Sequence, residues 1–273
     1  MSPPVGNGHD RLAAHRLTIL KTATWLLGDS MNVVVSIGGS VLAPDLGDDR
    51  TRAAERVAAH ASIVDDLATD GHDLGIVVGG GSVAREYIGA ARELGANEIE
   101  LDRIGIDVTR LNARLLIAAL ESDAVVAPPT DYEAAGEAIQ RGDVCVMGGV
   151  TPAQTTDAVS AALAEYVEAD LLVYATSVPG VFSADPNEDP DAERYERLTP
   201  GELVDLIAGM DMNAGSPAPV DLLGAKVIER AGIRTIVLDG TDPERIAAAV
   251  QRGEYDGTDV VPEGTPEPPG WGR

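Results

Sequence analysis

The chain has 273 residues, of which 44% are hydrophobic, enough for one large α/β domain or for two lobes that share a sheet. Its 45 acidic and 20 basic residues give a net charge of −25, which argues against a nucleic-acid partner, because such a partner requires a basic face. No apolar run approaches the ~20 residues of a membrane span, which argues against a membrane partner.

The low lysine content and the single cysteine indicate the cellular environment of the protein. Lys21 and Lys226 are the only lysines, and the remaining Lys/Arg positions are all arginine. An acidic, lysine-poor composition indicates a halophile, whose salt-rich cytoplasm screens the repulsion between carboxylates. Cys145 is the only cysteine, so the chain forms no internal disulfide, which fits the reducing cytoplasm.

Residues 1–30 differ in composition from the rest of the chain. They contain Pro, Gly and scattered basic residues before a short apolar segment. A signal peptide is one interpretation, but Lys21 interrupts the apolar segment and no small-residue cleavage site follows it. We therefore expect a disordered or mis-assigned leader, with the folded chain beginning at Met31.

The first predicted strand lies within residues 31–42. It ends in two glycines and a serine, Gly38, Gly39 and Ser40. A helix should follow, because Asp48 and Asp49 can cap it and apolar residues then recur at helical spacing.

The second predicted strand, 76–78, ends in three glycines, Gly79, Gly80 and Gly81. We expect Ser82 to cap the next helix and Arg85, one turn later, to fork onto a phosphate. Glycines at a strand-to-helix turn let backbone amides close on an anion. The βαβ unit should be parallel and right-handed, so both turns face the sheet edge where ligands bind. Two such turns predict two phosphorylated ligands.

The remaining elements continue the alternation of strands and helices. A helix over 97–120 carries Asp102 and Arg103 near its start, where an exposed charged pair is the default interpretation. A strand at 144–149 ends in a third glycine pair before a loop at 150–156. The other predicted strands are at 123–127, 170–176, 234–239 and 258–261, and the other predicted helices are at 132–140, from 157, at 200–207, around Lys226 and at 243–250. We also expect an exposed hairpin or excursion at 187–198 and a disordered tail at 262–273.

The order of these motifs resembles the amino acid kinase family. The motifs are IGGS at 37–40, VVGGG at 77–81, MGG and TTDA within 147–158, Thr176 with GVFSADP at 180–186, and the Lys226 helix before GIRTIVLDG. Within that family the chain is most similar to archaeal-type UMP kinases, over residues 31–261. The resemblance implies a three-layer α/β sandwich, a mostly parallel central sheet of about eight strands, and a homo-oligomer, a hexamer.

The resemblance places the acceptor nucleotide, UMP, on the N-terminal half. Gly80 would approach its phosphate, and Asp102 would accept a hydrogen bond from a ribose hydroxyl. The loop implied around the base and phosphate consists of Val150, Thr151, Pro152, Ala153, Gln154, Thr155 and Thr156.

The same resemblance places ATP, with Mg²⁺, over the C-terminal half. The residues implied at its phosphates are Gly38, Gly39, Ser40, Gly81 and Arg85. Those implied at its nucleoside are Thr176, Ser177, Phe182 and Asp185.

Three positions depart from the family pattern. Ser36 stands where many members carry a lysine, which leaves one cation fewer at the γ-phosphate. Ser177 and Phe182 replace the Asn and Tyr that are commoner in such loops. The archaeal-type UMP kinases resemble this chain in lacking the lysine.

The implied catalysis needs no general base, because the acceptor is a phosphate oxygen that is already anionic. Catalysis then consists of holding the two polyanionic nucleotides in line and neutralising the charge on the transferred phosphoryl group. Arg85 and Lys226 are the predicted cations, so Mg²⁺ must carry much of the charge. The alternative for Lys226 is an exposed lysine whose stem covers apolar surface. Asp157 either orders the site or the water shell of the metal, or caps a helix.

Two other functions stay open at this point. One is a related kinase with another phosphate acceptor, such as isopentenyl phosphate, whose pocket should be apolar and offer a histidine. His9, His15, His60 and His72 all lie outside the glycine turns, which disfavours it. The other is a non-catalytic nucleotide-binding or storage protein on the same fold.

Overall fold

The computed structural model describes residues 30–42, 49–184, 186, 189–209, 220–269 and 271. The expected leader, apart from Ser30, lies outside these residues. Asp48 and Asp185 also lie outside them. No helix in the described ranges is long and apolar enough to cross a membrane.

A central sheet of seven strands organises the described residues, where about eight are expected. In chain order the strands are β1 (Asn32–Ile37), β2 (Asp73–Val78), β3 (Cys145–Met147), β4 (Leu171–Thr176), β5 (Arg197–Leu198), β6 (Thr235–Asp239) and β7 (Gly257–Val260). They lie in the order β3-β2-β1-β4-β6-β7-β5. Every neighbouring pair is parallel except β6 and β7. The mostly parallel α/β sheet is thereby confirmed.

Helices cover both faces of this sheet. In chain order the described helices are α1 (Gly39–Leu42), α2 (Arg50–Thr69), α3 (Gly81–Glu93), α4 (Glu98–Ala119), α5 (Tyr132–Gln140), α6 (Thr156–Tyr166), α7 (Pro200–Gly209), α8 (Leu222–Ala231) and α9 (Glu244–Arg252). Val33 and Val35 of β1 pack with α2, α9 and the end of α4, whereas Val34 packs on the opposite face with α5 to α8. Alternate strand residues therefore form two cores, as the period of a strand requires, and the fold is a three-layer sandwich.

Two local predictions are wrong. The segment 123–127 is no strand: it makes a single bridge, between Ala124 and Val144, and Val126 is 96% exposed. Two prolines follow at once, and a proline has no amide for a sheet ladder. Ser82 is not the cap of α3, because the helix begins at Gly81, whose φ of +64° a glycine adopts without strain.

The tail predicted to be disordered, 262–273, has defined contacts at two described positions. Glu267 pairs with the buried Arg234 at 2.8 Å, and the Trp271 ring lies 4.5 Å from the same guanidinium. Arg234 also forms a bidentate pair with Asp259. A buried guanidinium needs such partners. The composition of the tail gives no indication of these contacts.

Candidate active site

The glycine turns meet at one edge of the sheet because β1 to β4 are parallel. Gly38 N donates to Ala175 O at 3.1 Å, and Gly79 N donates to Ile37 O at 2.9 Å. The carboxyl ends of these strands are therefore joined by backbone hydrogen bonds into a continuous edge. This is the edge where an open α/β sheet binds ligands.

The first two glycine turns interlock without room for a side chain. A β-carbon on Gly39 would lie 2.2 Å from Gly81 N and 2.5 Å from Gly79 O. One on Gly79 would lie 2.7 Å from Gly39 N. Backbone thus packs on backbone, which brings the amides at the starts of α1 and α3 to one place. Amides at the start of a helix such as α3 attract anions.

Arg85 joins the second turn to the first. It lies on the first turns of α3, is exposed, and its Nη2 lies 3.3 Å from Ser40 Oγ. The sequence predicts both residues at the phosphates of ATP, and the structure brings them together. Their contact with ATP stays a prediction.

Buried polar side chains of α4 hold the glycine turns, and the sequence reading missed them. Thr109 Oγ1 accepts from Gly149 N at 2.7 Å. Asn112 Nδ2 donates to Gly79 O at 2.8 Å and to Gly80 O at 3.3 Å. Both side chains are buried. The sequence does contain a signal for them, because these two polar residues, three positions apart, interrupt the apolar face of the amphipathic helix α4.

Asp102 makes a contact that neither sequence interpretation foresaw. Its Oδ2 accepts from Ala153 N at 2.8 Å, within the loop predicted to surround UMP. Ala153 has a φ of +66°, a strained value for a residue with a side chain. Asp102 therefore holds this loop against the start of α4, and it forms no ion pair with Arg103.

Two further side chains contact the same loop or its start. Arg110 Nε donates to Gly149 O at 3.1 Å, and Tyr132 OH lies 3.3 Å from Gln154 Oε1. Val150 packs against the α5-to-α8 core. The loop is thus seated on α4 and α5, while its other residues are exposed or half-exposed at the edge.

Thr155 and Asp221 connect the starts of α6 and α8. Thr155 caps α6 by accepting from Ala158 N at 3.2 Å, and it donates a short hydrogen bond to Asp221 Oδ2. Asp221 in turn caps α8 by accepting from Gly224 N at 2.7 Å. Two helix N-termini therefore adjoin, one from each half of the chain.

Asp157 lies in the first turn of α6 but does not cap it. Burial and the nearby charge of Asp221 raise the pKa of Asp157 to about 7. Its backbone oxygen accepts from the buried Tyr174 hydroxyl at 2.8 Å. The helix-cap role considered for Asp157 belongs to Thr155, and the shifted carboxyl is typical of a functional site.

The residues predicted at the ATP nucleoside lie along the loop after β4. Thr176 Oγ1 donates to Val178 O at 2.8 Å and accepts from Val178 N at 3.0 Å, which fixes the turn. Ser177 is exposed, and the half-buried Phe182 makes a single antiparallel bridge with Arg194. None of these contacts tests whether the loop residues bind the nucleoside of ATP, so those roles stay predictions.

Lys226 lies on the exposed side of α8. Its Nζ is 3.1 Å from Glu229 Oε2, in an ion pair one turn apart on the helix. The described residues contain no group of three or more His, Cys, Asp or Glu side chains that could hold a metal ion.

A comparison with protein families identifies the family of this chain. Residues 31–239 match the model of the amino acid kinase family. The chain belongs to this family. The match spans β1 to β6 and so includes all three glycine turns.

Relatives within the family are similar over nearly their whole length. The chain is 70% identical over 235 residues to a uridylate kinase of Halobacterium salinarum, covering 86% of this chain and 95% of the relative. It is 64% identical to one of Haloarcula marismortui, covering 85% and 100%. The crystal structure of uridylate kinase from Archaeoglobus fulgidus matches with a TM-score of 0.73 and 45% identity, covering 85% of this chain and all of that one.

Proposed function

We propose that this amino acid kinase is a UMP kinase, which transfers the γ-phosphoryl of ATP to UMP and forms ADP and UDP for the synthesis of UTP and CTP. The observation that carries the proposal is the pair of interlocked glycine turns, which offers adjacent anion sites at one edge. The relatives named uridylate kinases at 64–70% identity support the choice of acceptor. The net charge of −25 and the halophilic relatives suit a salt-rich cytoplasm.

The chain's own residues would mainly position the two nucleotides. Gly80 and the 150–156 loop would hold UMP, with the loop kept in place by Asp102 and Thr109. The UMP phosphate oxygen attacks the γ-phosphorus as an anion, the bond to the β-γ bridging oxygen breaks, and ADP leaves. Because no proton must be removed, orientation and charge neutralisation supply the catalysis.

Two arginine or lysine side chains would offset the charge of ATP. Arg85 already reaches Ser40 of the first turn and would turn its guanidinium to the transferred phosphoryl. Lys226 would exchange its exposed pair with Glu229 for a phosphate. An exposed pair is a weak competitor, since such pairs contribute ~0–1 kcal/mol.

Two carboxyl groups at the edge fit the Mg²⁺ that accompanies ATP. Burial and the charge of Asp221 raise the pKa of Asp157, and a nearby cation would favour the ionised form of Asp157. Carboxylate oxygens are ligands that magnesium prefers. When bound, the ion would neutralise charge on the phosphoryl group. Asp157 and Asp221 are the residues that would hold its water shell.

An assay of ADP release tests the proposal. The protein in molar KCl with Mg²⁺ and ATP should release ADP with UMP and much more slowly with other nucleoside monophosphates or isopentenyl phosphate. ATP binding without turnover on any acceptor would indicate a storage protein and contradict the proposal. An isopentenyl acceptor is disfavoured because His72 accepts from Met31 N at the opposite edge and His60 is buried against Gly240.

We also propose that the enzyme forms a homo-oligomer, a hexamer built of dimers. Exposed apolar side chains on or next to α3 and α4 support this: Tyr87, Leu94, Ile99, Leu111 and Leu115. Such a patch on a chain with a strongly acidic composition favours a second copy as partner. Light scattering coupled to size exclusion in molar KCl should give six times the 28.3 kDa chain mass; a monomer would contradict it.

A further inference from the structure

Arg110 is a half-buried cation at the edge that lacks a carboxylate partner. Among the other half-buried or buried arginines of the described residues, Arg194, Arg234 and Arg245 each pair with an acidic side chain, whereas Arg56 of α2 forms no ion pair with a described residue. Arg110 forms no ion pair with any described residue, although the chain has 45 acidic residues. Its one hydrogen bond runs from Nε to Gly149 O, at 3.1 Å. The two terminal nitrogens, Nη1 and Nη2, remain for a ligand.

Arg110 lies against the third glycine turn, next to a residue that also contacts the second. A β-carbon on Gly148 would lie 2.8 Å from Arg110 N, so the third turn packs directly on this part of α4. The adjacent Thr109 contacts Gly149 through its hydroxyl, and its methyl lies 3.6 Å from a β-carbon position on Gly80. Thr109, the residue before Arg110, therefore contacts both the second and the third turn.

We infer that Arg110 binds the phosphate of the acceptor nucleotide, a role that rests on the proposed UMP kinase function. The hydrogen bond of Nε to Gly149 fixes the plane of the guanidinium and leaves its other N–H groups to donate to phosphate oxygens. Arg85 contacts Ser40 of the first turn, whereas Arg110 contacts the third turn. The two arginines would thus serve the two nucleotides, Arg85 at the first turn and Arg110 at the third.

Comparing a nucleotide with its nucleoside tests this role. Calorimetric titrations of UMP and of uridine, without ATP and in molar KCl, would compare the wild type with Arg110→Gln. A charge-assisted hydrogen bond contributes about one to two decades of affinity, so we expect Kd for UMP to rise ~10- to 100-fold. Uridine, which has no phosphate, should bind with an unchanged Kd.

Two further variants complete the design. Arg110→Lys keeps the charge and should recover part of the UMP affinity. Arg114→Gln removes an exposed arginine one turn further along α4 and should change neither Kd. Melting temperatures measured on the same samples show that each variant is folded.

The outcomes separate the inference from the function beneath it. Equal losses of UMP and uridine affinity would show that Arg110 only supports the Gly149 turn, and an unchanged UMP affinity would place the phosphate elsewhere; either result overturns the inference alone. A folded wild type that binds no UMP overturns the proposed function and the inference together.

Discussion

The half of the edge that we propose binds the acceptor and the half that we propose binds ATP are built differently. On the acceptor side, buried side chains of α4 hold the glycine turns, through Thr109 and Asn112. On the ATP side, the described cations Arg85 and Lys226 are exposed and contact only Ser40 and Glu229. Removing a buried hydrogen-bonding group costs ~1–3 kcal/mol of stability, whereas an exposed pair contributes ~0–1 kcal/mol. Substitutions of these buried side chains should therefore destabilise the fold, whereas substitutions of the exposed cations should reduce turnover alone.

The largest effect is expected where the halves meet, at Gly39→Ala. Its new methyl would lie 2.2 Å from Gly81 N and 2.5 Å from Gly79 O, and backbone cannot move aside as a side chain can. Overpacking of this kind costs ~1–3 kcal/mol or more. Thermal melting should show a clear loss of stability together with loss of kinase activity. Gly38→Ala is the matched control for stability, because its nearest contacts would be an ordinary 3.6 Å; equal melting temperatures for the two would contradict the interlock.

Arg85→Ala should separate activity from stability on the ATP side. A charge-assisted phosphate contact contributes ~1.5–3 kcal/mol, so kcat/KM for ATP should fall by about one to two decades. The melting temperature should hardly change, because the side chain is exposed. Steady-state kinetics test this prediction. A change in kcat/KM for ATP of less than about threefold would show that Arg85 is a surface residue without a role in ATP binding.

Thr109→Val tests the opposite pattern on the acceptor side. Valine has a similar shape but leaves the Gly149 amide without its acceptor. The free energy of unfolding, from denaturant titration in high salt, should fall by ~1–3 kcal/mol. Thr109→Ser keeps the hydroxyl and should retain most of that stability. If valine and serine are equally stable, the buried contact does not support the turn.

Asp102→Asn should give the smallest of these effects, confined to UMP. An amide oxygen still accepts from Ala153 but is neutral, so both the loop contact and the proposed ribose contact weaken. KM for UMP should rise by about one decade, while KM for ATP stays the same. Asp107→Asn, an exposed carboxylate on the same helix, serves as the control. UMP kinetics equal to wild type would remove Asp102 from the acceptor site.

The local signals in the sequence were sufficient for the elements and the glycine turns. Buried strands are continuous apolar runs, and Gly39 and Gly81 mark abrupt turns, so the parallel sheet and its binding edge follow from neighbours in the chain. The same reading fails at 123–127, where an apolar run of strand length lacks a partner along most of its length. It also assigned the cap of α3 to Ser82, because it could not know that Gly39 packs on that turn.

Only the tertiary structure decided which side chains serve those turns. Asn112 reaches Gly79 across 33 positions of sequence, Asp102 reaches Ala153 across 51, and Thr155 reaches Asp221 across 66. Hydropathy and spacing report a residue's own helix or strand, and they carry no information about which distant backbone group will need a partner once it is buried. The sequence by itself therefore determined the parallel sheet and the edge at which we propose that ligands bind, and the packing of α4, α6 and α8 decided how that edge is held.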